Sequence, residues 1–149
     1  MYQRFLNLSV ELCGLSHFQL ESTGFADLYL KTVVGEVGAG RMTRLLGVYA
    51  SLPGSTEEQR AAAMRAKLLC HEEFGPVAHN IIKLWYAAMW FQMPEEWNHQ
   101  YRAGRKNESF VPDAYAYPEA WLWPVVGSHV PGAKAPGYAS WIQPPVFPD

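Results

Sequence analysis

The last 40 residues, Phe110 to Asp149, hold eight of the chain's eleven prolines. Each proline lacks a backbone N–H and crowds the preceding turn, so no long helix can run through such a segment. A central strand is equally closed to it, because a sheet ladder needs those donors. The helical or sheet framework of this chain must therefore come from the first 109 residues. Charge sharpens the contrast. The segment has four charged residues, Asp113, Glu119, Lys134 and Asp149, while the other 109 residues hold 22. Disordered segments are normally rich in charge and poor in aromatics. This one is the reverse, with Phe110, Tyr115, Tyr117, Trp121, Trp123, Tyr138, Trp141 and Phe147. The composition predicts an extended arm lying on an apolar surface, with a helical turn at PEAWLW starting at Pro118.

The first two thirds read as helices. Phe5, Leu8, Leu12 and Leu15 have the 3-4-3 spacing of one helix face. SHFQLES, Ser16 to Ser22, reads as a turn. Ser22 or Thr23 can cap a second helix carrying Phe25, Leu28, Tyr29, Thr32 and Val33. Gly35, Gly38 and Gly40 predict its interruption. Met42, Leu45, Leu46 and Tyr49 mark a third helix stopping at SLPG. Ser55 with Glu58 has the form of a capping box ahead of RAAAMRAKLL. Gly75 is expected to end that fourth helix, and Pro76 suits the first turn of a fifth. The fifth, VAHNIIKLWYAAMWFQM, is apolar almost all round, as a helix at the centre of a bundle is, and is expected to stop at Pro94. EEWNHQYRAGRKNES then reads as a loop or ragged helix. The expectation is an all-α single domain over residues 1–149: a compact bundle of about five helices in 1–94 and an irregular Pro/Gly/aromatic-rich arm in 110–149.

Chemistry is hard to find in this pattern. GEVGAG, Gly35 to Gly40, has the order G-x-x-G-x-G rather than G-x-G-x-x-G, and no strand precedes it, so a break between helices explains it better than a cofactor loop. CHEEF, Cys70 to Phe74, lacks the second histidine of H-E-x-x-H, because position 75 is glycine. No G-x-S-x-G is present, and the five histidines are scattered. Cys13 and Cys70 lie far apart outside any CxxC pattern, and each reads as a buried thiol. The net charge is −2 with no basic block, which argues against nucleic acid. No run of about 18 apolar residues predicts a membrane span. The opening MYQRFLNLSVELCGL lacks the marks of a signal peptide, so the chain as it stands is expected in the cytoplasm, or in the periplasm if it has been processed.

Three stretches in order resemble one family. FLNLSVELCGL, Phe5 to Leu15, is similar to its N-terminal helix motif. IIKLWYAAMW, Ile81 to Trp90, is similar to its central helix with a Leu-Trp-Tyr core. AYAYPEAWLWPVVGSHVPGAKAPGYASWIQPP, Ala114 to Pro145, is similar to its C-terminal signature, in which Tyr, an acid and Trp precede Gly-x-His-x-Pro-Gly-Ala-Lys, Pro-Gly-Tyr and Trp. The family is the small, or gamma, subunit of FAD-dependent sorbitol, glucose and related sugar or alcohol dehydrogenase complexes, and the resemblance covers about residues 4 to 145. It implies a non-catalytic helical partner of a glucose–methanol–choline-type flavoprotein, which oxidises a sugar or polyol hydroxyl by hydride transfer to FAD. Such a small subunit supports maturation, solubility and, in many members, export of the flavoprotein through a twin-arginine signal. This sequence lacks that signal. Membrane-bound relatives add a haem c electron-transfer subunit. FAD is expected in the partner, with no cofactor or metal held by this chain.

Residues expected at the partner interface are Trp121, Trp123, His129, Pro131, Gly132, Lys134, Tyr138, Trp141, Pro144 and Pro145. Interface cores are rich in aromatics and depleted of charge, and a proline-stiffened strap loses little entropy on docking. The same residues could instead seal the chain's own bundle, and the residue pattern leaves both uses open. A different reading is a stand-alone small-molecule-binding protein or enzyme, with an aromatic pocket between the central helix and the arm lined by Trp85, Tyr86, Trp90 and His129.

Overall fold

A computed structural model of the chain describes residues 1–128 and Val130. The described residues form an all-α bundle with no β-strand among them. Five long helical segments build it: α1 (Tyr2–Cys13), α3 (Ala26–Val37), α4 (Ala39–Ala50), α5 (Glu57–Met64) continued by a π-helical turn at Arg65–Leu69, and α6 (Gly75–Ala87). The short α2 (His17–Ser22), α7 (Glu95–Arg102) and α8 (Leu122–Val125) and a 3-10 turn at Ala114–Glu119 complete the fold. Among the described residues, no helix is long and apolar enough to cross a membrane.

The central helix is α6, which packs against α1 and α3. Val77, Ile81 and Leu84 are fully buried, and Trp85 is 1% exposed. Trp85 lies stacked beside Phe5 of α1, with centroids 6.5 Å apart, and takes the edge of Tyr29 of α3 at 4.9 Å and 86°. Each large side chain so buried contributes about 1.5–3 kcal/mol of transfer free energy. The α1 stripe holds as read: Phe5 and Leu8 are fully buried, Leu15 is buried just past the helix, and Leu12 packs half-buried at its rim.

Polar ties fix how the helices sit. Glu11 on α1 accepts from Tyr49 Oη (2.6 Å) on α4 and Arg60 Nε (2.9 Å) on α5. Arg60 Nη1 also donates to the carbonyl of Leu52 at 2.7 Å. Tyr86 Oη donates to the Cys13 carbonyl at 2.7 Å, joining α6 to the end of α1. Arg41 lies between the Trp97 and Tyr101 rings (5.2 and 5.3 Å to the centroids) and donates to Glu73 Oε1 and to the carbonyls of Val37 and Tyr101. Arg44 shares Glu73.

Local details correct the sequence reading at several points. SHFQLES is helix α2, closed by a capping box in which Ser16 Oγ accepts from the Gln19 N–H and the Gln19 side chain accepts from the Ser16 N–H. Neither Ser22 nor Thr23 caps α3. Its N-cap is Phe25 without a side-chain bond, and Thr23 Oγ1 accepts from the Phe25 N–H just outside. Of the three glycines in GEVGAG only Gly38 breaks the helix, at φ 86°, where a side chain is disfavoured. The N-cap of α5 is Thr56, which accepts from Gln59, so the capping pair falls one residue later than Ser55 and Glu58. Gly75 opens α6 rather than ending the previous helix. A Cβ there would lie 2.4 Å from the Leu69 carbonyl oxygen, and only glycine permits that approach. The central helix stops at Ala87, with Ala88 left-handed at φ 53°, and does not reach Pro94. The two cysteines are free; Cys13 is buried, and burial pushes its thiol pKa up to about 12, but Cys70 is exposed.

Candidate partner-binding face

The arm leaves the bundle through a tied hairpin. Trp90 and Phe110 exchange two backbone hydrogen bonds of 2.9 Å, the only pairing of strand type among the described residues. Below it, Gln92 N–H donates to Ser109 Oγ, and Asn107 both accepts from Met93 N–H and donates to Met93 O, each at 2.9 Å. The buried Asn80 of α6 holds the same segment by accepting from Phe91 N–H (2.9 Å) and donating to Phe91 O (3.0 Å). This polar lattice closes the excursion that carries α7 and returns the chain beside α6, while Trp97 of α7 is itself buried in the core.

After Val111 the chain folds against the bundle in short turns. Asp113 Oδ1 accepts from the Tyr115 N–H at 2.8 Å and starts the 3-10 turn. The sequence reading put a helical turn at Pro118; the structure places Pro118 inside this 3-10 turn and begins α8 only at Leu122. Small residues face inward: Ala116 is fully buried and Ala120 is 3% exposed, both in the bundle core. Alanines at that spacing let the arm's backbone come close, and the Trp121 N–H donates to the Trp85 carbonyl at 3.1 Å.

Seven large residues of the arm are left outside. Tyr115 is 81% exposed, Val125 62% and Val126 55%, with Phe110, Val111, Tyr117 and Leu122 also exposed. Of the ten large hydrophobic side chains exposed among the described residues, seven lie between Phe110 and Val126. Scattered apolar residues are normal on a surface, but this concentration makes the segment a candidate contact face. Trp123 stiffens it. Its Nε1 donates to Tyr117 O at 3.0 Å, and its ring meets Tyr117 edge to face at 5.2 Å and 80°.

Of the residues expected at an interface, Trp121 and Trp123 are described. Both are half-buried and pack against the core cluster, so part of each side chain seals this chain's own bundle. His129, Pro131, Gly132, Lys134, Tyr138, Trp141, Pro144 and Pro145 lie outside the described residues. Residues the sequence reading did not select as a contact face are Tyr115, Tyr117, Leu122, Val125 and Val126. The interleaving of alanine with tyrosine in AYAYPEA carried part of the signal: Ala116 and Ala120 turn inward and Tyr115 and Tyr117 outward, while Ala114 is exposed. Three of the four residues of the aromatic-pocket reading are described, and their side chains are taken up in packing and a backbone contact. Trp85 and Trp90 are 1% and 0% exposed, Tyr86 is committed to Cys13 O, and His129 lies outside the described residues.

Elsewhere, His71 Nδ1 accepts from the Glu73 N–H at 3.1 Å and its ring stacks on Phe74, which fixes the CHEEF turn. Among the described residues, no group of three or more His, Cys, Asp or Glu could hold a metal ion. No protein-family model matches the chain, and no curated protein or solved structure matches it.

Proposed function

We propose that this chain is the non-catalytic small subunit of an FAD-dependent, glucose–methanol–choline-type sugar or alcohol dehydrogenase or oxidase complex. It binds the flavoprotein and supports its folding, flavin loading and stability. The observation that carries the reading is the exposed apolar band from Phe110 to Val126. That band overlaps the stretch, Ala114 to Pro145, on which the resemblance to this family chiefly rests. A folded helical base with an aromatic, charge-poor face is the anatomy of an interaction subunit. Stable hetero-complexes commonly bury more than about 2,000 Å², and a 40-residue arm has the length to cover such an area. In this reading the FAD sits in the partner, a haem c subunit is a further partner in membrane-bound assemblies, and the complex assembles in the cytoplasm.

The test is co-expression with the flavoprotein encoded beside this chain. The expected result is a co-eluting complex, with soluble, flavin-loaded, active enzyme obtained only when the chain is present. An equally soluble, flavin-loaded and active flavoprotein without the chain overturns the proposal.

A further inference from the structure

The end of α7 carries a second feature, beside the start of the arm. Arg102 is the last residue of that helix, and its side chain is only 8% exposed. Its Nη2 pairs with Glu36 Oε2 at 2.9 Å, while its Nε and Nη1 are buried without any acceptor. A guanidinium has five N–H groups that stay protonated. One on Nε and two on Nη1 therefore go unanswered. Buried charged donors in that state are unfavourable unless something completes them.

Two cavities of about 370 Å³ each have Arg102, Arg105 and Glu36 in their walls. Arg41 and His99 belong to the first, and Lys106 and Glu108 to the second. Arginine and lysine bring four cations to the walls against two carboxylates, on a chain of net charge −2. The cations are not equivalent. Arg41 is fully engaged with Glu73, Val37 O and Tyr101 O, and Lys106 pairs with Glu108 at 2.9 Å. Arg105 is exposed and makes no ion pair among the described residues. Ala103 and Gly104 are both left-handed (φ 53° and 68°), which turns the chain so that Arg105 shares cavity walls with Arg102. The Arg105 carbonyl accepts from the buried Asn98 Nδ2 at 2.9 Å, so the backbone of this turn is held with the Arg105 side chain exposed.

We infer that this is a binding site for a small oxyanion, a carboxylate or phosphate group. Its oxygens accept from the unpartnered donors of Arg102, and Arg105, which shares both cavity walls, meets its charge. A planar guanidinium matches such oxygens in geometry and charge. A neutral hydroxyl compound would leave the excess of positive charge unmet. This site does not depend on the flavoprotein reading.

The experiment uses the purified chain at constant ionic strength, titrated with inorganic phosphate and separately with succinate, with sodium chloride as the control. Thermal shift and the 15N–1Hε resonance of Arg102 are read together. A saturable rise in Tm is expected, with the Arg102 resonance moving at the same midpoint. Arg102→Lys should weaken binding by roughly tenfold or more, as loss of a charge-assisted hydrogen bond would. Arg105→Gln, at an exposed position that does not threaten the fold, should move the midpoint to higher concentration. Response to phosphate alone assigns a phosphoryl ligand, and response to succinate alone or to both assigns a carboxylate-tolerant site. No saturable response in the wild-type chain beyond the chloride control overturns the proposal. So does a midpoint unchanged by Arg105→Gln together with an unmoved Arg102 resonance.

Discussion

The bundle and the start of the arm treat aromatic residues in opposite ways. In α1, α3 and α6, Phe5, Tyr29 and Trp85 are each 2% exposed or less and pack on one another. In the arm, Ala116 and Ala120 take the inward positions while Tyr115, Tyr117 and Leu122 stay outside. Helices of three turns can gather their apolar residues into one stripe and bury it. A backbone cut by Pro112, Pro118 and Pro124 forms only single turns, which cannot bury large residues on one side without lifting the chain away from the bundle. Aromatic content therefore means cohesion in one region and an unpartnered face in the other.

Mutations can break that contrast, and the largest effect belongs to the bundle. Trp85→Ala should cost about 3–5 kcal/mol, the usual toll for a buried Trp truncation, read from a denaturant melt of the isolated chain. A loss under about 1 kcal/mol would mean that the aromatic cluster is not the centre of the core. Gly75→Ala forces a Cβ against the Leu69 carbonyl and should cost about 1–3 kcal/mol by overpacking. The same melt checks it, and an unchanged midpoint would show that the turn before α6 can yield.

Glu73→Gln leaves Arg41, 13% exposed at its side chain, short of its carboxylate partner and should cost about 1–3 kcal/mol. A pH series sharpens the point. For Glu73, burial works to raise the pKa, but hydrogen bonds and charge from Arg41 and Arg44 outweigh it and hold the carboxyl below its ordinary 4.5. Glu11 is likewise lowered, burial being outweighed by the Arg60 and Tyr49 hydrogen bonds and the Arg60 charge. A folded-state pKa below the unfolded one gives stability that is complete above the unfolded value and is lost as pH falls through the folded value. The wild-type Tm should therefore fall as pH drops below 4.5, and fall less in Glu73→Gln. Equal slopes would remove Glu73 from the account.

The arm should respond in the opposite order. Trp123→Ala loses one edge-to-face pair with Tyr117 and should cost the isolated chain about 1 kcal/mol, while sharply reducing co-elution with the flavoprotein. Tyr115→Ser, at the most exposed aromatic residue of the band, should leave the melt within about 0.5 kcal/mol and still weaken the complex. Intact co-elution of both variants would move the contact face away from Phe110–Val126.

Much of the bundle was legible because burial imposes a period on the sequence. The 3-4-3 spacing of Phe5, Leu8, Leu12 and Leu15 and the apolar run around Trp85 located α1 and α6 directly. Element ends were less legible, since several residues compete for each cap. Ser55 and Thr56 offer equivalent hydroxyls, and only the geometry of the loop selects Thr56 and Gln59. Gly75 illustrates the same limit: its glycine is required by the Leu69 carbonyl across a turn, a contact that no local pattern encodes.

Sequence alone determined that the chain is helical in its first two thirds and cannot carry a long helix in its last quarter, because hydrophobic period and proline content act on the local backbone. It also flagged Trp121 and Trp123 as contact residues, but could not divide them between the bundle and a partner. Tertiary structure decided how far the described part of the arm packs on the bundle: Ala116 and Ala120 are buried, Trp121 and Trp123 are half-buried against the core, and Tyr115, Leu122, Val125 and Val126 are exposed. It also brought Glu36, Arg102 and Arg105 to one place. Such arrangements depend on which surfaces approach one another, and distance along the chain says nothing about that.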